Sequence, residues 1–126
     1  MTFELTLAAE RDIRDVLRET LRTFGTVQLS VYQRIISTGI ALIDEQPERP
    51  GSLARPELGA GVRFFHLELA AGRRGGAAHC LYYRPDKLPD GSMGVVILRV
   101  LHEHMEPRHK VVRSLRNYQG PDNTAD

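Results

Sequence analysis

The stretch from position 94 to 112, GVVILRVLHEHMEPRHKVV, decides how the rest of the chain is arranged. Val95 to Leu98 offers no polar position to either side of a strand's alternation, so it predicts a central strand covered on both faces. From there the run carries Arg99, His102, His104, Arg108 and His109. Such groups are costly to bury unpaired, so the strand must deliver them to a rim or to partners.

Working outward, two more strand signals lie upstream. VRFFHLEL (62–69) places Phe65, Leu67 and Leu69 on one face and Phe64, His66 and Glu68 on the other. AAHCLYYR (77–84) follows. The links AAGRRGG and PDKLPDGS hold the Gly, Pro and Asp needed to reverse the chain. They predict a three-stranded antiparallel meander with hairpin loops at 70–78 and 85–93. Before it, QPERPGSLARPELGAG (46–61) has no apolar periodicity and reads as an irregular surface connection.

The first third of the chain is helical in pattern. Ile13, Val16, Leu17, Leu21 and Phe24 form one apolar side, with charged residues opposite and Thr6 placed as N-cap. Gly25 offers a positive-φ stop, after which Thr26 can cap a second helix bearing Val27, Val31, Ile35, Ile36, Ile40 and Ile43. Its wider apolar arc predicts deeper burial than the first helix. Phe3, Leu5 and Leu7 alternate with polar residues as a short N-terminal strand would. The expected class is α+β: an N-terminal strand, an antiparallel helical hairpin, then the meander, with the helices on one face of the sheet. There is room for a short C-terminal helix after His102. Residues 1–117 read as a single domain and 118–126 as a disordered tail.

Composition limits the function. At 126 residues and net charge +1, the total gives no case for nucleic-acid binding, although residues 61–126 hold 10 basic against 7 acidic side chains and all five histidines. Cys80 is the only cysteine, which excludes an internal disulfide and a cysteine-rich zinc site and fits a reducing cytoplasm. No stretch nears the ~20 apolar residues that span a bilayer, and no leader pattern opens the chain, so a cytoplasmic protein without membrane contact is expected.

Arg63 and Arg99 could clamp a phosphate while His102 handles a proton, and Tyr82 or Tyr83 could stack a base. Against this, Arg63 could equally bond loop carbonyls, and alternation turns one of the tyrosines into the core. No complete acid–base set is evident. His102 and His104 have no third ligand at metal spacing, and GRRGG (72–76) lacks a Gly-Lys-Ser/Thr ending, so neither a metal nor another cofactor is implied.

Four stretches together, LTLAAERDIRDVL, LGAGVRFF, HCLYYR and VVILRVLHEHMEPRHKV, resemble the RelE/ParE superfamily of toxins from bacterial type II toxin–antitoxin systems over positions 3–109. The last is the most specific and is similar to the ParE branch. The resemblance implies a cognate antitoxin whose C-terminal segment wraps the toxin and whose N-terminal part binds operator DNA, which the toxin then reaches only through it. ParE-like members imply inhibition of DNA gyrase by binding, with no catalytic residue. RelE-like members imply a ribosome-dependent mRNA endonuclease, for which Arg63, Arg99 and His102 would be the catalytic set. The partner-binding residues implied here are Arg63, Tyr82, Arg84, Arg99, His102, Met105 and Arg108. The long hairpin loops and Glu106, where Asp is common, depart from the family pattern, and a toxin-like fold that has lost toxicity is a third alternative.

Overall fold

A computed structural model describes residues 3–118. The chain forms an α+β fold with four helices and an open, mixed, five-stranded sheet. In chain order the elements are β1 (Phe3–Leu5), α1 (Leu7–Phe24), α2 (Thr26–Glu45), β2 (Leu53–Ala54), a 3-10 turn (Pro56–Leu58), β3 (Arg63–His66), α3 (Glu68–Ala71), β4 (His79–Lys87), β5 (Met93–His102) and α4 (Arg108–Asn117). The sheet order is β1-β5-β4-β3-β2. β1 runs parallel to β5, with Phe3 opposite Val95 and Leu5 opposite Ile97. The other neighbouring pairs are antiparallel.

The apolar run that opened the sequence reading is β5, an interior strand whose Val95, Val96, Ile97 and Leu98 are completely buried. Its two faces serve two cores. Val95, Ile97 and Val100, with Phe65, Leu81 and Tyr83, pack under the helical hairpin through Ala9, Ile36, Ile40 and Ile43. Val96, Leu98 and Leu101, with Cys80 and Tyr82, are covered by Val111 of α4 and by Leu58 and Val62. The two helices of the hairpin thus lie across one face of the sheet, as their apolar sides predict. The hairpin takes one face and α4 the other, because a strand apolar on both sides leaves a second face to be covered, worth about 1.5–3 kcal/mol per large side chain.

Thr6 caps α1, its Oγ1 accepting from the Ala9 amide at 3.0 Å and donating to the Leu98 carbonyl at 2.9 Å. One hydroxyl thus fixes the helix start against β5. Gly25 alone separates the two helices at φ +91°, a conformation that favours glycine. It is also the N-cap of α2. Thr26, expected in that role, lies inside the helix, and no side-chain bond caps α2. α2 buries Ile35, Ile36, Ile40 and Ile43, whereas α1 buries only Ala9 fully among its apolar residues. The hairpin tip is bare: Leu21, Phe24 and Val27, which the sequence pattern turned inward, are 43%, 69% and 73% exposed.

Three further boundaries differ from expectation. The 62–69 strand stops at His66, where His66 Nδ1 accepts the Glu68 amide at 3.1 Å and Leu67 turns into right-handed helical geometry to start α3. Leu67 is consequently buried and Leu69 exposed, although alternation put them on one face. β4 continues through Lys87 and β5 begins at Met93, so the second hairpin loop spans 88–92 and not 85–93. The connection before β3 contributes a fifth strand, where Leu53 and Ala54 pair with Phe64 and Arg63. The expected disordered tail lies outside the described residues apart from Tyr118, which packs against the second core.

Candidate partner-binding rim

β1 ends at Leu5 while β5 runs on, leaving the β5 edge at Arg99 and Val100 without a strand partner on that side. Asp12, from the second turn of α1, fills the gap. One of its oxygens accepts the Val100 amide at 2.9 Å and Arg99 Nε at 2.6 Å, and the other accepts an Arg99 terminal nitrogen at 2.8 Å. With the side chains only 18% and 12% exposed, this is a sheltered, two-pronged ion pair. Arg99 therefore locks α1 to β5.

Arg63 is likewise engaged inside the molecule. Its Nε donates to Ser52 Oγ at 2.8 Å and a terminal nitrogen donates to the Ser52 carbonyl at 3.2 Å. Ser52 Oγ also lies 2.5 Å from the Tyr83 hydroxyl, which in turn donates to the Pro47 carbonyl. Burial pushes the Tyr83 hydroxyl pKa up, so it stays a neutral donor. Tyr82 points to the opposite core, edge-on to Phe64 with ring centres 5.5 Å apart, and Arg84 pairs with Asp86 at 2.8 Å. Neither tyrosine ring is open to stacking, since both are buried.

The end of β5 gathers imidazoles. His102 sits edge-on to His79 with ring centres 5.4 Å apart, and His104 lies 5.3 Å from His102. The Tyr32 hydroxyl, which accepts the Ala78 amide, shares a hydrogen bond with His79 Nδ1 at 2.7 Å. Burial first, and the neighbouring His102 second, push the His79 pKa down to about 4. His66 completes the group by bonding Glu103 at 2.7 Å, which lowers the Glu103 carboxyl pKa. Among the described residues no group of three or more His, Cys, Asp or Glu could hold a metal ion.

Of the residues singled out by sequence, the fold brings His102, Met105 and Arg108 together around the turn that leaves β5, where the Met105 amide bonds the His102 carbonyl at 2.9 Å. Met105 and Arg108 are exposed there. Arg63, Tyr82, Arg84 and Arg99 lie elsewhere, each held by its own partner. Sequence reasoning missed Asp12, Ser52, Tyr32, His79, His66 and Glu103. Asp12 is one of eight charged residues on its helix, and nothing in the pattern marks it. A signal did exist for His79, which opens β4 directly opposite His102 at the end of β5.

No helix among the described residues is long and apolar enough to cross a membrane. Among curated proteins none is similar enough in sequence to match. The family model described as the ParE toxin of the type II toxin–antitoxin system, parDE, matches residues 3–107, from the first strand to the turn before α4. The chain belongs to this family of type II toxins, which implies a cognate antitoxin as its partner.

Proposed function

We propose that this protein is a ParE-like toxin that binds and inhibits DNA gyrase when free, and that its antitoxin silences it by laying an extended or helical segment over its surface. One observation carries this reading over the nuclease alternative. Arg63 and Arg99, the two cations a phosphodiester-cleaving site would use, are bound to Ser52 and Asp12. An inhibitor that acts by binding needs only a complementary surface. Phe24 and Val27 at the hairpin tip, with Met105 and Arg108 beyond β5, supply exposed aromatic, methionine and arginine groups of the kind interfaces enrich. Residues 1–117 act as one toxin domain in the cytoplasm, and operator DNA is reached only through the antitoxin.

The test is a supercoiling assay with purified full-length protein. Loss of gyrase supercoiling, restored by adding the antitoxin, is expected; supercoiling left untouched would overturn the proposal. In a translating extract no mRNA should be cut. Cleavage there, abolished by Arg63→Gln or Arg99→Gln in folded protein, would instead favour the ribosome-dependent endonuclease.

A further inference from the structure

Between the start of α1 and the length of α4 lies a cavity of about 600 Å³ that the toxin reading does not use. Its size falls within the range of about 300–1,000 Å³ typical of small-molecule sites. Four cations line it: Arg11 and Arg99 on one side, Lys110 and Arg113 on the other, against two carboxylates, Asp12 and Asp15. Asp12 is occupied by Arg99. Asp15 lies 3.6 Å from Arg18, which is outside the wall.

Among the described residues Arg11, Lys110 and Arg113 make neither an ion pair nor a side-chain hydrogen bond. The wall therefore carries an excess of two positive charges, brought to one hollow from two distant parts of the chain. α4 sharpens the imbalance, because its ten residues, RHKVVRSLRN, contain four cations and no carboxylate. Lys110, Arg113 and Arg116 follow one another at spacings of three, where like charges on a helix repel. A multivalent anion would relieve that repulsion. Arginine forks and a lysine point charge together match the oxygens of a phosphate better than a single carboxylate.

We infer that this cavity binds a phosphate-bearing ligand of nucleotide size, with its phosphates held by Arg11, Lys110 and Arg113. The volume exceeds what an inorganic phosphate fills, and Leu5 and Leu7 in the wall leave an apolar side for the rest of the molecule.

Calorimetric titration of the full chain with pyrophosphate and with ATP, at fixed ionic strength, tests this independently of any gyrase assay. Both should bind. The double variant Lys110→Gln/Arg113→Gln should lose at least about tenfold in affinity. Arg108→Gln/Arg116→Gln removes the same charge from the same helix outside the cavity and should change affinity less than about twofold. Circular dichroism checks that both variants remain folded. No binding at millimolar ATP, equal losses in the two double variants, or binding of an RNA oligonucleotide without binding of either small probe would overturn the inference.

Discussion

Asp12 shows how much can rest on one side chain. It accepts two bonds from Arg99 and one from the Val100 amide, so Asp12→Ala strands a sheltered guanidinium and a strand-edge amide at once. The expected loss is about 3 kcal/mol of unfolding free energy, read from urea denaturation. Arg99→Ala should cost less than that, because Asp12 would keep the Val100 amide. Tyr118 gives the opposite sign. Its hydroxyl is buried with no hydrogen-bond partner among the described residues, and burial raises its pKa. Tyr118→Phe should therefore stabilise the protein by about 1 kcal/mol, seen as a higher Tm. At this scale the sequence is least legible. Arg99 stood out in an apolar strand, but its partner had no distinguishing neighbour, so a bound arginine looked like a free one.

Among elements, α2, β3, β4 and β5 are tied at one end of the sheet through Tyr32, His79, His102, His66 and Glu103. Because the folded pKa of His79, about 4, lies below its ordinary value of 6.5, the folded chain holds fewer protons than the unfolded chain between these limits. The stability that depends on neutral His79 is present in full above about pH 6.5 and falls as the pH drops toward 4. Urea midpoints should decline from pH 7 to pH 5. His79→Gln, whose amide can still hydrogen-bond Tyr32 but does not titrate, should show a flatter profile over that window. A wild-type midpoint flat from pH 7 to 5 would contradict the assignment. Helix and strand identity were readable wherever the apolar period ran long, as in α1, α2 and β5. The 62–69 segment misled because alternation at Phe65, Leu67 and Leu69 is the same whether the chain stays extended or bends at Leu67. What decides is a bond from the Glu68 amide to the His66 ring, which no period reports. β2, two residues long, is too short to have a period at all.

Taken whole, the molecule is a sheet between two unequal covers: a long hairpin on one side, a short cationic helix with a loop on the other. The apolar double face of β5 made the need for two covers visible in the sequence, but α4 has only Val111, Val112 and Leu115 to mark it as one of them. Removing residues 108–126 should uncover Val96, Leu98 and Leu101, and the shortened protein should bind a hydrophobic fluorescent dye strongly and unfold at lower urea. An unchanged midpoint without dye binding would mean that α4 is dispensable. The parallel pairing of β1 with β5 joins Phe3 to Val95, residues far apart along the chain. A polypeptide still emerging from the ribosome has no mate for its opening strand, and no floor for Ile36 and Ile40, until Met93 to His102 have been synthesised. Maturation of this toxin must therefore wait for β5, and until that strand is made a growing chain carries an unfinished core.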